Sequence, residues 1–218
     1  MERFSHQTFS QFGEDVILWS WLETLNLLET DSYYVDIGAH HPVRGSNTYL
    51  LRKLYGWKGI NVEPDPVLMK EFERSCPDCV NLQVGVGREA GRAELTIYNH
   101  PAANTISETL KSRQSQNSAI SVVSTIDIEI LTINQILDEH CKKFKGNFTL
   151  LTIDAEGVDY DIISSLDFDK YKPNLILIED FDFDLTGNIK SDTLNLLIDK
   201  KYVPVSHCMV TTLYRYTG

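Results

Sequence analysis

Residues 148–153 read F-T-L-L-T-I, and residues 175–178 read L-I-L-I. Neither run alternates strictly between apolar and polar residues, so each predicts a strand covered on both faces. No other feature limits the fold so strongly, because such strands need a layer of structure above and another below. Helices are expected to supply those layers. In residues 11–28, Val16, Leu18, Trp19, Leu22, Leu25 and Leu28 recur at three- and four-residue steps, the spacing of an amphipathic helix. Further helices are predicted over 46–55, with Ser46 as N-cap, over 66–75, with Pro66 in the first turn, and over 132–144, 158–166 and 191–200. Strands are predicted over 33–37, 57–62, 80–86, 93–99 and 125–131. A closing antiparallel pair is predicted over 202–206 and 210–215. Strand–helix alternation around buried central strands means an α/β sheet with helices on both faces. No repeat period or linker divides the sequence, so residues 1–218 are read as a single domain.

Charge excludes some partners. The 31 acidic residues outnumber the 20 basic ones, for a formal net charge of −11. A nucleic-acid clamp or a binder of anionic membranes needs a basic face, and this composition argues against both. No apolar run reaches 18 residues, so no membrane span is expected. The first residues, M-E-R-F-S-H-Q-T-F-S, lack the pattern of a secretory leader, and a cytoplasmic protein is expected. Cys76 and Cys79 form a lone C-P-D-C with no second pair or nearby histidines to complete a metal site. They are read as ordinary reduced thiols. Residues 100–124 carry little charge and much Ser, Asn, Thr and Gln, and are read as a long polar excursion above the sheet.

In an open α/β sheet, ligands bind beyond the carboxyl ends of the strands. The first strand ends in D-I-G-A-H-H-P, residues 36–42, and the second in N-V-E-P-D, residues 61–65. Gly38 lets the backbone approach a ligand closely, and a carboxylate at Glu63 can accept bonds from two ribose hydroxyls. Neither G-x-G-x-x-G nor G-x-x-x-x-G-K-[ST] is present, which steers away from nicotinamide cofactors and ATP. S-adenosyl-L-methionine suits an acidic site better, since its sulfonium and ammonium groups are cationic. The runs 152–157 (T-I-D-A-E-G) and 178–180 (I-E-D) put acids immediately after buried strands. Asp154, Glu179 and Asp180 are expected to converge on one rim, where they would either hold Mg²⁺ or line a polar surface. The other reading of this region has Asp154 and Glu156 capping the following helix.

At these residues the sequence resembles the FkbM-type methyltransferases, a branch of the class I S-adenosylmethionine-dependent enzymes. The matching stretches are S-Q-F-G-E-D (10–15), V-D-I-G-A-H-H-P (35–42), S-N-T-Y-L-L (46–51), G-W-K-G-I-N-V-E-P (56–64), L-T-I-D-A-E-G (151–157) and L-I-L-I-E-D (175–180). The resemblance implies a Rossmann-like seven-stranded sheet, mostly parallel with an antiparallel last strand. It implies methyl transfer, usually to a hydroxyl of a sugar, glycolipid or natural product. It would set Asp36 and Gly38 against the methionine part of the cofactor, Glu63 with Pro64 at the ribose, and the 84–86 stretch, with Gly85 and Val86, at the adenine. Ser46 and Asn47 would receive the cofactor carboxylate at a helix start. Gln11, Glu14 and Asp15 would belong to a helical lid spanning 1–30. Asp154, Glu179 and Asp180 also look like the acid set of metal-dependent O-methyltransferases. One position departs from the general D/E-x-G-x-G loop pattern, since residue 40 is His.

The mechanism expected is in-line transfer of the sulfonium methyl to an acceptor oxygen. His40, His41 or Asp154 would remove the acceptor proton, or a bound Mg²⁺ would lower its pKa. Tyr98, Asn104, Thr105 and Ser107 would line the pocket of a small-molecule or glycan acceptor. Two alternatives stay open: a metal-independent N- or carboxyl-methyltransferase, and a non-catalytic binding protein that keeps the fold.

Overall fold

The structure, a computed structural model, describes residues 7–28, 31–184, 186 and 191–218. Ten strands are defined among these residues: β1 Ser32–Ile37, β2 Lys58–Val62, β3 Val80–Leu82, β4 Gly85–Gly87, β5 Gly91–Tyr98, β6 Val122–Thr132, β7 Asn147–Ile153, β8 Leu175–Glu179, β9 Tyr202–Cys208 and β10 Thr211–Tyr216. The helices are α1 Glu14–Thr24, α2 Tyr49–Tyr55, α3 Pro66–Ser75, α4 Glu108–Gln114, α5 Ile133–His140, α6 Asp159–Ser164 and α7 Asp192–Asp199.

Seven strands form one sheet in the order β3-β2-β1-β7-β8-β10-β9. β10 runs antiparallel to both of its neighbours. The paired inner strands from β3 to β8 are parallel. Alternate side chains sort to opposite faces. Val35, Ile37, Leu151, Ile153, Ile176 and Ile178 pack with Ile133, Ile136 and Leu137 of α5 and Ile162 and Ile163 of α6. On the other face Tyr34, Leu150, Leu175 and Leu177 pack with Leu18 and Leu22 of α1, Leu51 of α2 and Trp57. Both faces are thus covered, as the uninterrupted apolar runs require. The chain proceeds outward from β1 to β3 on one side and from β7 onward on the other. The β1–β7 boundary is therefore the topological switch point, where a crevice opens.

The predicted third strand over 80–86 is divided in the structure. β3 pairs with β2 in the main sheet. β4 turns away to join β6 and β5 in a separate three-stranded sheet. Gly85 permits this crossing, because a Cβ there would stand 2.5 Å from Ile130 Cδ1 and 2.9 Å from Ile128 Cδ1. The polar excursion also carries more regular structure than its composition announces. Ser107 accepts from Leu110 N to cap α4, and β6 begins at Val122. Cys76 and Cys79, expected as reduced thiols, are joined in a disulfide with Cα atoms 5.3 Å apart. Cys76 ends α3, and Cys79 N donates to its carbonyl at 3.1 Å, so the turn itself brings the sulfurs together. Among the described residues, no helix is long and apolar enough to cross a membrane.

Candidate active site

A cleft of about 530 Å³ opens at the switch point, over the carboxyl ends of β1, β2 and β7. Its floor is the turn after β1. Gly38 has φ +72°, and a Cβ there would lie 1.7 Å from the Asp154 carbonyl oxygen, so only glycine lets these two strand ends meet. His40, where the general loop pattern has a second glycine, adopts φ +53°. The loop therefore keeps a left-handed residue at that position even though a side chain must be accommodated.

Asp36 lines the cleft, but its carboxylate is engaged. It accepts from the Thr48 hydroxyl at 2.9 Å and from the Thr152 hydroxyl. Burial raises its pKa above the usual carboxylate range despite these bonds. Asp36 thus ties the start of α2 and strand β7 to β1. Ser46 differs from expectation in two ways. The N-cap of α2 is Thr48, and Ser46 Oγ serves it indirectly by accepting from Thr48 N at 3.3 Å and Tyr49 N at 3.0 Å. Asn47 lines the cleft; Ser46 is buried beneath it.

His41 lines the cleft, yet it is poorly disposed as the expected base. Its Nδ1 accepts from both Val43 N and Arg44 N at 3.0 Å. The neutral ring must then carry its proton on Nε2, leaving no free acceptor nitrogen. Burial and the Arg44 charge also hold its pKa below the usual histidine value.

At the end of β2, Glu63 is buried and faces the cleft. Its Oε1 accepts from Asp65 N at 2.8 Å and its Oε2 from His40 N at 2.9 Å. Burial outweighs these bonds and pushes the carboxyl up to about 8. Each oxygen keeps a further lone pair for a ligand hydroxyl. Beside it Pro64, Leu68, Val84, Gly85 and Val86 form an apolar wall.

The turn after β7 holds most of the acid. Asp154 lines the cleft, but its Oδ1 is sealed from solvent and has no hydrogen-bond partner. Burial, followed by the charges of Glu156, Asp159, Asp36 and Glu14, raises its pKa well above the usual range. Glu156 adopts φ +49° and Gly157 φ +94°, a double left-handed turn. Asp159 fixes this turn by accepting from Ala155 N at 2.7 Å and Gly157 N at 3.1 Å. The Glu156 side chain lines the cleft, and burial with the Asp159 charge lifts its carboxyl to about 7.

The expected metal set does not assemble. Asp180 accepts from the Ser191 hydroxyl through Oδ2 and from Asp182 N through Oδ1 at 3.1 Å. Ser191 is the N-cap of α7, so Asp180 anchors that helix and does not line the cleft. Glu179 is pushed up to about 9 by burial and the nearby Asp154 charge, and its Oε2 is sealed and without a partner. Among the described residues, no group of three or more His, Cys, Asp or Glu side chains is arranged to hold a metal ion.

Two further segments wall the cleft. Asp15, fully buried, accepts from the Thr8 hydroxyl (2.6 Å), Phe9 N (2.8 Å) and the Ser10 hydroxyl (2.8 Å), which folds the chain back and brings Ser10 and Gln11 to the cleft. Residues 1–6, 29 and 30 of the expected lid lie outside the described residues. From the other side, Asn104 and Thr105 enter the wall, whereas Tyr98 and Ser107 do not. Asn104 Nδ2 donates to Asp65 Oδ2 at 3.0 Å, and Thr105 Oγ1 donates to the Glu156 carbonyl at 2.8 Å. The excursion is thereby fastened to the ends of both β2 and β7.

Two cleft residues carry no functional expectation from the sequence: Glu156, for which the sequence offers only helix capping, and Arg44, which stands exposed at the cleft edge. The signal for Glu156 was its place beside Gly157.

The sequence model of the methyltransferase FkbM domain matches residues 36–202, more than half of the chain. No curated protein matches the sequence significantly. The crystal structure of methyltransferase FkbM from Methylobacillus flagellatus KT superposes with a TM-score of 0.52 at 18% identity, over 85% of this chain and 44% of that one. The chain thus spans less than half the length of that structural relative, and at this identity the likeness concerns the fold. With the domain match running from the Asp36 strand end through Glu63, the 154–157 turn and Asp180, the chain belongs to the FkbM methyltransferase family.

Proposed function

We propose that the protein is an S-adenosyl-L-methionine-dependent methyltransferase acting on a hydroxyl oxygen of a sugar, glycolipid or natural product. The observation that carries this reading is Glu63. It is a buried carboxylate at the end of the second strand, oriented by two backbone N–H groups and flanked by an apolar wall. That pair of acceptor oxygens fits a ribose diol beside an adenine ring. The acids of the β1 and β7 turns make the rest of the cleft favourable to positive charge. When bound, the cofactor supplies an electrophilic methyl on a sulfonium.

The chain's own residues do the remainder. Gly38 and Asp36 hold the floor rigid, since any looseness at the reacting distance is costly. Glu156 is the base in this reading. Glu156 lines the cleft from a turn pinned by Asp159 and Thr105, and a carboxyl pushed up to about 7 suits proton removal at neutral pH. Asp154, with one oxygen sealed, contributes shape and polarity.

The test is a mass-shift screen of hydroxylated sugars and natural products with the cofactor. The expected result is a gain of one methylene, lost on hydroxyl-blocked acceptors. Methylation confined to amines or carboxylates would overturn the oxygen assignment.

A further inference from the structure

A hydrogen-bonded relay at the cleft begins outside the two strand ends that the proposed function uses. Asn104 lies in the excursion, 39 residues beyond Asp65, and is half-buried in the cleft wall. Both ends of its amide are engaged. Oδ1 accepts from Tyr98 N at 2.9 Å, and Nδ2 donates to Asp65 Oδ2 at 3.0 Å. The other Asp65 oxygen accepts from Val67 N at 2.8 Å to cap α3. With both oxygens held, Asp65 is fixed, and its own N–H is aimed at Glu63 Oε1 at 2.8 Å.

We propose that Asn104 is a positioning residue for Glu63, acting through Asp65 to hold the carboxylate in the orientation that meets the two ribose hydroxyls. This rests on the cofactor reading above. Without the amide, a buried carboxylate oxygen on Asp65 would lose its donor. The freed Asp65 carboxylate would then turn away, and the 63–67 turn that presents its N–H to Glu63 would loosen. Asp65 is also a nearby negative charge acting on Glu63. Pinning its side chain keeps that charge turned toward Asn104 and the helix N-terminus. The excursion therefore does more than wall the acceptor side, since it completes the ribose end of the cleft from above.

The test uses calorimetry on the full chain with S-adenosylhomocysteine and with its 2′,3′-dideoxyribose counterpart. Asn104→Ala should weaken S-adenosylhomocysteine roughly tenfold while changing the dideoxy ligand little, because only the former reads Glu63 through hydroxyls. The exchange Asp65→Asn with Asn104→Asp keeps the hydrogen bond with donor and acceptor reversed, and should restore most of the affinity. Thermal melting of each variant reports separately on folding. Equal loss of both ligands would make Asn104 a structural tether only, and unchanged affinity would remove it altogether. Failure of the unaltered protein to bind S-adenosylhomocysteine would instead bring down the cofactor reading itself.

Discussion

In the proposed reading Glu63 holds the ribose, and its burial makes that hold pH-sensitive. Its carboxyl titrates near 8, so at neutral pH a large fraction is protonated in the free protein. Ribose hydroxyls donate best to the ionised form. Affinity for S-adenosylhomocysteine should therefore rise with pH through about 8, and binding at pH 7 should release a proton. Calorimetry in buffers of different ionisation enthalpy measures that release directly. Glu156 gives a separate prediction. Glu156→Gln should leave cofactor-product affinity near its original value and lower single-turnover methyl transfer by about 10²–10⁴-fold. The rate of the unaltered protein should rise with pH through about 7, and the variant should lose that limb. Which of these residues could be read in advance follows from their physics. Glu63 was legible because a strand end fixes where its side chain goes. Glu156 was not, because the left-handed turn that places it at the cleft, with φ positive at both Glu156 and Gly157, is not announced by composition. His41 looked catalytic until its Nδ1 proved to be bonded to the following turn.

At the level of elements, the apolar runs of β7 and β8 were decisive, and the helices around them followed from spacing. The divided third strand was hidden. Val80–Leu82 and Gly85–Gly87 read as one run, yet the first pairs with β2 and the second with β6, and no residue pattern marks the break. The metal expectation failed for a similar reason. Asp180 sits at the right strand end, but the N-cap of α7 claims it through Ser191. The N-terminal segment carries its own prediction. Asp15 accepts from Thr8, Phe9 and Ser10 together. Asp15→Ala should raise hydrogen exchange across residues 8–12 and weaken cofactor-product binding several-fold, with the sheet amides unchanged. Unaltered exchange in that segment would mean that other contacts hold it.

For the whole molecule, the acid excess has a consequence for stability. Glu63, Glu156 and Glu179 are raised to about 8, 7 and 9, and Asp36, Asp154 and Asp159 are raised as well, each mainly by burial. Across that range the folded state holds more protons than the unfolded one, so stability falls as pH rises. The lowered histidines His40, His41 and His140 act in the opposite sense near pH 6.5, so the fall should be clearest above it. The Tm of the ligand-free protein should therefore drop steadily from pH 6.5 to 9, and a flat or rising Tm would contradict the burial of these carboxyls. The formal charge of −11 first served only to disfavour polyanionic partners. Part of it is now located in one cleft at the switch point of the sheet, where the matched domain and the geometry coincide.

The central claim is that this cleft binds the S-adenosyl cofactor through Glu63. Titration calorimetry with S-adenosylhomocysteine on the unaltered protein and on Glu63→Ala tests it most directly. The account predicts one site at micromolar affinity, weakened in the variant by at least the loss of one charge-assisted hydrogen bond, about 1.5–3 kcal/mol. No binding at millimolar ligand, or equal affinity in the two proteins, would contradict it.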